Sequence, residues 1–448
     1  MSSKRRIHLA CDMSFTHLDG RWRVPGSWVH RTFPDATMFE ELARIAERGC
    51  LDMMFFGDGT GIPSTWQDSA DAAVRWGIQW PRQDMSPYIA LMARATRHLG
   101  FGLTYASTFM HPFYVARLLN SLDHITAGRI AFNVITSTRR SDAANYGFDE
   151  LMEHDLRYER MEEFVDVCKK LWASVAPDAF IWDRDSGEVA DPDKVHPIKH
   201  AGQFFKVRGP LNTVPSPQTR PVLIQAGGSL RGIEASAHFA DHVFASGLSL
   251  EHKRRHRLAL DKALVAKGRD PAKVGILFNA ALIVSQSRSE ALAARESLLD
   301  MIPSEGVGAY LSHSIGYDFS RLPERFSPHE LAQEIVASQA SPVSLVSQFA
   351  DTLGPGGMID RDEFFREGLK VATAYDRTIA GTPSELADYL EEHFEAAGER
   401  GGFMISHPYS TPHDLINVVD LLVPELQRRG RFRRAYTSRT LMEQLAED

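Results

Sequence analysis

Short apolar runs alternate with longer amphipathic stretches along most of the chain. The runs have strand length and are rich in strand-forming residues, and the stretches between them repeat apolar positions at helical spacing. The predicted strands are Ile7–Cys11, Asp52–Phe56, Gly102–Tyr105, Ile130–Ile135, Pro221–Gln225, His242–Ser246, Gly275–Val284 and Gly402–Ser406. The predicted helices are Phe39–Arg48, Ser86–His98, Tyr114–Ile125, Met161–Trp172, Ile233–Phe239, Leu250–Lys267, Ser289–Asp300, Ser384–Ala397 and Leu415–Gln427. Successive strand–helix units of this kind indicate a parallel sheet.

Two segments interrupt the alternation. Pro, Gly and Asp abound between about residues 177 and 220, where GQFFKVRGPL predicts a small hairpin. The second segment runs from about 301 to 378. We interpret both as insertions within a single domain spanning residues 1–448. The second is expected to form a lid, because long excursions in compact domains are often functional.

The helix after the fourth strand carries polar rings on its apolar stripe. Continuing the stripe from Met161 toward the N-terminus at steps of three and four reaches Tyr158 and His154, which predicts that both rings face the core. They are either ligand-facing groups or hydrogen-bonded core residues, since buried polar groups need partners. Asn133 favours a ligand, because it interrupts a strand suited to a buried parallel sheet.

Composition narrows the class of protein. The 448 residues carry a formal charge of −8, with 43% hydrophobic and 24% charged residues, which is typical of a soluble globular enzyme and argues against a nucleic-acid partner. We expect a cytoplasmic protein without a membrane segment, since no apolar run has spanning length and the N-terminus lacks a signal-peptide core. The three cysteines are scattered, without metal or redox spacing.

Two glycine-rich turns follow predicted strands. AGGS, which contains Gly228 and Ser229, stands between a strand and a helix N-terminus, where free backbone N–H groups and the helix dipole suit a phosphate. It is also compatible with an ordinary tight turn. GDGTG follows the second strand without dinucleotide-binding spacing, and its Asp58 is either a turn-capping residue or a site residue.

The loop from 64 to 85 is rich in tryptophan. Trp66, Gln79 and Trp80 are candidates for one wall of an apolar substrate pocket, and the alternative is a loop anchored on the rest of the domain. The C-terminal segment GRFRRAYTSRTLMEQL is basic, and we expect it to be solvated or in contact with another subunit.

Three stretches carry a resemblance to a known family: GRIAFNVITS, NYGFDELMEHDLRYERMEEF and PSPQTRPVLIQAGGS. The chain resembles, over nearly its whole length, the bacterial luciferase-like flavin monooxygenases, in particular the group containing nitrilotriacetate, dibenzothiophene sulfone and long-chain alkane monooxygenases. The resemblance implies a (β/α)8 TIM barrel, with insertions after the fourth and seventh units. It also implies FMN, used as FMNH2, and O2.

The resemblance also implies roles for individual residues. The flavin ring and ribityl chain are expected near Asp58, Thr104, Asn133 and Ser137, and the phosphate near AGGS with His154 and Tyr158 assisting. His17 and His313 are candidates for proton transfer, because a histidine titrates near working pH; the alternative is that each is a surface histidine among 18. CDMSFTH departs from the alkane enzyme, so no cysteine role or alkane substrate is carried over.

The function expected from the resemblance is oxidation of a small apolar or aromatic molecule. A separate NAD(P)H:flavin reductase would supply the reduced cofactor, and the protein would be a homodimer or homotetramer. Whether the product arises by hydroxylation or by C–N, C–S or C–C cleavage is open. Alternatives on the same fold are riboflavin cleavage, deazaflavin-dependent hydride transfer or a non-catalytic flavin carrier. A metal hydrolase is disfavoured because the first strand lacks a His-x-His pair.

Overall fold

Eight parallel strands close into a barrel in the computed structural model, which describes residues 5–14, 21–23, 26–137, 139–247, 249–337, 344–406 and 412–447. The strands are β1 (His8–Asp12), β2 (Met53–Phe56), β3 (Gly100–Ala106), β4 (Ile130–Ile135), β5 (Val222–Ala226), β6 (His242–Ala245), β7 (Gly275–Val284) and β8 (Gly401–Ser406). Each strand pairs with its successor, and β8 pairs with β1 to close the ring. The eight predicted strands and the TIM-barrel fold are confirmed.

Helices cover the outside of the barrel after each strand. The principal ones are Thr37–Arg48, Ser86–Ala95, Pro112–Thr126, His154–Trp172, Leu230–Phe239, Leu250–Ala266, Pro383–Ala396 and the run from Pro412 to Arg428. Both faces of the strands are therefore buried, which explains their continuous apolar sequences. The interior is filled by side chains from several strands, including Ala10, Phe55, Ala131, Ile224, Leu277 and Met404. No helix in the described ranges is long and apolar enough to cross a membrane.

The helix His154–Trp172 buries the stripe that the sequence predicts. Met161, Phe164, Cys168 and Leu171 are fully buried. The carboxylate of Glu153 accepts a hydrogen bond from the Leu156 N–H and caps the first turn. The helix therefore begins at His154, and the side chain of this residue is 51% exposed. The prediction that His154 faces the core is wrong, because His154 is the first residue of the helix and its ring pairs with the exposed carboxylate of Asp155 instead of packing inward.

The segment between β7 and β8 forms a second apolar core of its own. Its helices are Arg288–Glu296, Ser304–Ile315, Pro328–Ala337, Ser344–Leu353 and Arg361–Ala372, and the short strand Thr378–Gly381 pairs with the end of β7. The tryptophan loop packs against these helices. A Cβ placed on Gly308 would lie 2.1 Å from the Trp66 ring, and Nε1 of Trp76 donates to the carboxylate of Glu305 at 2.7 Å. These contacts hold the segment against the loop that follows β2.

The basic C-terminal segment lies against the amino end of the barrel. Arg433 is 4% exposed and pairs with Asp52, which also accepts a hydrogen bond from His8. Leu441 and Leu445 are buried with the interior side chains of the barrel. The segment is therefore not fully solvated, because distant acidic and apolar groups of the same chain bury Arg433, Leu441 and Leu445. Contact of its exposed residues with another subunit stays a prediction.

Candidate active site at the carboxyl ends of the strands

The first part of the site lies on β3 and β4. Thr104 and Asn133 are neighbours in the pairing register of these strands, and both are buried. Nδ2 of Asn133 donates to Oγ1 of Thr104 at 3.0 Å. Oδ1 of Asn133 is buried and has no hydrogen-bond partner in the described part of the chain. Because an unsatisfied buried acceptor is costly, this oxygen is suited to receive a ligand N–H.

The second part is the turn between β5 and the helix Leu230–Phe239. Gly228 is exposed, and a Cβ added there would meet no atom within 4 Å. Ser229 caps the helix by accepting a hydrogen bond from the Gly232 N–H at 3.0 Å. A Cβ on Gly232 would lie 3.2 Å from the Tyr158 hydroxyl oxygen, so this hydroxyl lies next to the turn. The open helix N-terminus with an adjacent phenol is suited to an anion such as a phosphate.

His154 belongs to the same region although it is exposed. Its ring centroid lies 5.2 Å from that of Tyr158 in an edge-on arrangement, and its Nδ1 pairs with Asp155 at 2.7 Å. The guanidinium carbon of Arg231 lies 5.2 Å from the centre of the Tyr158 ring, and Nη1 of Arg231 donates to Oε1 of Glu162 at 2.6 Å. The sequence predictions did not include Arg231, although its place in the first turn after AGGS is a signal for an anion site.

The third part joins the loops that follow β2 and β4. One carboxylate oxygen of Asp142 accepts hydrogen bonds from the Thr60 and Gly61 N–H groups at 2.9 and 2.7 Å. Its other oxygen accepts from the Ser137 hydroxyl at 2.9 Å. Nη1 of Arg157 donates to the carbonyl oxygen of Ser137 at 2.5 Å. Ser137 is thus held between two charged residues that were not among the predicted site residues. Asp142 also joins Ser137 to Thr60 and Gly61, which are about 80 residues away in the chain and give no local signal.

Asp58 lies beside this cluster, after β2. Burial raises the pKa of its carboxyl; Arg82 opposes the shift, and Asp84 and Asp142 add to it. A carboxyl with a raised pKa in a cleft is a candidate for a functional group rather than a simple turn cap.

His313 reaches the site from the helix Ser304–Ile315. Its Nε2 is buried and has no hydrogen-bond partner among the described residues. Burial, followed by the positive charge of Arg139, lowers its pKa to about 4; Asp142 opposes this shift and Arg82 adds to it. The imidazole is therefore neutral at pH 7 and lies near the loops after β2 and β4. The other histidine candidate, His17, lies outside the described residues.

The three predicted pocket residues differ in their surroundings. Trp66 packs against Gly308 and against Phe365, with ring centroids 5.9 Å apart, which matches the anchored-loop interpretation. Gln79 is buried, and its Oε1 accepts a hydrogen bond from Arg82 at 2.6 Å. Trp80 is half-buried. Roles for these residues in substrate binding remain predictions.

The chemistry of the site fits FMN. Oδ1 of Asn133, which lacks a donor among the described residues, can accept a hydrogen bond from a ring N–H. The open turn at Gly228 can receive a phosphate. His/Cys/Asp/Glu groups with metal-site geometry are absent within the described ranges.

The comparisons with known proteins agree on one family. The model of the family described as luciferase-like monooxygenase matches residues 21–401. A long-chain alkane monooxygenase from Geobacillus thermodenitrificans is 34% identical over 95% of this chain and 90% of its own length. The crystal structure of DmoA from Hyphomicrobium sulfonivorans superposes with a TM-score of 0.86 at 33% identity, covering 99% of this chain and 92% of that one. A riboflavin lyase crystallised with modified FMN and riboflavin gives a TM-score of 0.85 at 28% identity, covering 99% and 96% of the two chains.

Proposed function

Since the chain belongs to the luciferase-like monooxygenase family, we propose that it is the oxygenating component of a two-component system. It is an FMN-dependent monooxygenase, and in this proposal a separate NAD(P)H:flavin reductase supplies the reduced cofactor. GDGTG lacks the spacing of a dinucleotide-binding turn, which supports a separate source of electrons. The proposed substrate is a small organic molecule with an apolar or aromatic body.

The observation that carries the proposal is the buried Oδ1 of Asn133, for which the described residues provide no hydrogen-bond donor. In this proposal it accepts a hydrogen bond from the polar edge of the flavin ring. Gly228, Ser229 and Tyr158 hold the phosphate, with His154 beside them. Asp58, Thr104 and Ser137 complete the contacts. Reduced FMN, when bound, supplies the electrons with which one atom of O2 enters the substrate and the other leaves as water.

The protein residues have two tasks in this scheme. The segment that carries His313 covers the barrel mouth and excludes water, which strengthens the polar interactions beneath it. The neutral imidazole of His313 can accept a proton from, or hold a hydrogen bond to, the reacting substrate. His17 is proposed as a second proton-transfer group.

The test combines purified protein, FMN, NADH, a flavin reductase and O2 with a broad panel of candidate substrates. We expect FMN to bind and at least one compound to be oxidised. His313→Ala should lower product formed per NADH consumed while FMN affinity stays within about twofold, because His313 does not hold the cofactor. His329→Ala, on a different helix of the same segment, is the matched control. Absence of both FMN binding and oxidation would overturn the proposal.

Riboflavin cleavage is a second candidate, favoured by the similarity to riboflavin lyase. It requires riboflavin to disappear when it is added with reduced FMN and O2. Titration with a deazaflavin separates the hydride-transfer alternative, which requires tighter binding of the deazaflavin than of FMN. If the protein is a non-catalytic flavin carrier, His313→Ala should change none of the measured activities.

A further inference from the structure

Two guanidinium groups meet over the turn that follows β2. A Cβ placed on Gly59 would lie 2.2 Å from Nη1 of Arg139 and 4.0 Å from Nη1 of Arg82. Arg82 is held in place, since it donates to the Gly57 carbonyl oxygen at 3.2 Å and to Oε1 of Gln79 at 2.6 Å. Arg139 arrives from the other side, after β4. Both positive charges therefore lie at the mouth of the barrel.

Arg139 forms no ion pair with a carboxylate of the described part of the chain, although it is half-buried. The nearby acids have other contacts. Asp58 accepts from the Gly59 N–H at 2.8 Å and lies in the field of Arg82. Asp142 accepts from two backbone N–H groups and from Ser137, and Asp84 accepts from the Ser86 N–H at 2.8 Å. A half-buried guanidinium without an acidic partner loses hydration without a compensating ion pair. Such a group is suited to an anion that arrives from outside the protein.

Burial lowers the pKa of His313, and the positive charges of Arg139 and Arg82 lower it further, so the imidazole lies in the field of both guanidinium groups. Its buried Nε2 lacks a partner among the described residues. Two cations and a neutral imidazole therefore come together between the β2 loop, the β4 loop and the covering segment. This group of residues is distinct from the turn at Gly228, which follows β5.

We propose that Arg139, with Arg82 beside it, binds an anionic group of the substrate next to His313. The inference rests on the proposed function and makes its substrate more specific: an organic acid, such as a carboxylate or a sulfonate, attached to an apolar body. The planar guanidinium of Arg139 can hold either anion through two parallel N–H donors. Binding the anion at this point would leave the apolar body of the molecule to occupy the space near the imidazole.

The test uses matched pairs of acid and amide as probes: benzoate with benzamide, naphthalene-2-carboxylate with naphthalene-2-carboxamide, and octanoate with octanamide. Dissociation constants of these probes are measured for the unaltered protein and for three variants. The affinities of the same proteins for FMN and riboflavin are measured in parallel. The variants are Arg139→Gln, Arg139→Lys and the control Arg140→Gln, which removes the neighbouring exposed arginine.

We expect at least one acid to bind about tenfold more tightly than its amide, as one charge-assisted hydrogen bond would give. Arg139→Gln should abolish this preference, Arg139→Lys should retain part of it because it keeps the charge, and Arg140→Gln should leave it unchanged. The proposal is overturned if no acid is preferred, or if the preference survives Arg139→Gln. It is also overturned if Arg139→Gln reduces the preference for FMN over riboflavin instead, which would make the arginine a ligand of the cofactor phosphate. If the unaltered protein does not bind FMN, the proposed function itself is overturned, whatever the result with the acids.

Discussion

Asn133 donates a hydrogen bond to Thr104 across β3 and β4, and this bond leaves its own carbonyl oxygen buried without a partner in the described residues. One half of the amide is thus fixed by the fold, and the other half is free for a ligand. The same side chain combines a structural contact with a binding function, and the two can be separated by mutation.

Asn133→Leu is expected to weaken FMN binding about tenfold or more while lowering the free energy of unfolding by less than about 1 kcal/mol. The ligand loses a hydrogen bond worth about 1–3 kcal/mol, whereas the fold loses the hydrogen bond to Thr104 together with a buried acceptor that no described residue satisfies, and these two effects on stability oppose each other. Titration with FMN and urea denaturation measure the two quantities.

The matched control is Asn120→Leu. The Asn120 amide is also buried, but it donates to Oγ1 of Thr213 at 2.8 Å and to the Val214 carbonyl oxygen at 2.7 Å. This variant should lower stability by about 1–3 kcal/mol and leave FMN affinity unchanged. If both variants behave alike, Asn133 has only a structural role.

Gly228→Asp is expected to weaken FMN binding about tenfold more than Gly228→Asn does. The space around Gly228 accommodates either side chain, but only aspartate places a like charge beside a phosphate. Riboflavin, which has no phosphate, should bind equally to the two variants. An equal loss of FMN affinity in both variants would move the phosphate away from this turn.

Arg433→Met is expected to lower the free energy of unfolding by about 3–5 kcal/mol. Burial alone would raise the pKa of Asp52, but Arg433 and His8 hold it below its usual value. Removal of the arginine leaves a buried carboxylate that keeps its hydrogen bonds from His8 and from the Leu9 N–H but loses its guanidinium partner. Urea denaturation above pH 5 measures the loss, because this stabilisation is present above the unfolded pKa of Asp52 and disappears as the pH falls.

The matched control for Arg433 is the exposed Arg434→Met, which should change stability by less than about 0.5 kcal/mol. FMN affinity should be preserved in both variants, because the tail lies at the opposite end of the barrel. If Arg433→Met and Arg434→Met unfold with the same free energy, the ion pair between Arg433 and Asp52 does not stabilise the fold.

Stability should fall as the pH decreases from about 6.5 toward 4. Burial lowers the pKa of His256 and of His393 to about 4, with neighbouring positive groups adding to the effect. The unfolded chain therefore binds protons in this range that the folded chain does not, which favours unfolding by up to about 1 kcal/mol per pH unit for each histidine. His393→Leu should reduce the slope of unfolding free energy against pH. An unchanged slope would contradict the buried, neutral state of this ring; the exposed His196→Gln serves as control.

The order and number of the strands could be predicted from the sequence, because a strand that is buried on both faces in a parallel barrel has a continuous apolar sequence of its own. Ile130–Ile135 and Gly275–Val284 are apolar along nearly their whole length, and each is followed by turn residues and a periodic helix. The turn at Gly228 was recognisable for the same reason, since a strand, two glycines and a capping serine are consecutive in the chain. The stripe from Met161 to Trp172 needed only helical spacing.

The remaining features depended on pairs of residues far apart in the chain. His154 was placed inward by periodicity, but the start of its helix decides its exposure. The basic C-terminal segment gives no sign that Arg433 is buried, because its partner Asp52 precedes it by 381 residues. Arg139 becomes a binding candidate only because the β2 loop and the segment bearing His313 fold around it. Sequence periodicity reports which side of an element is buried, and only the folded chain decides which charges meet there, because electrostatic partners carry no local pattern.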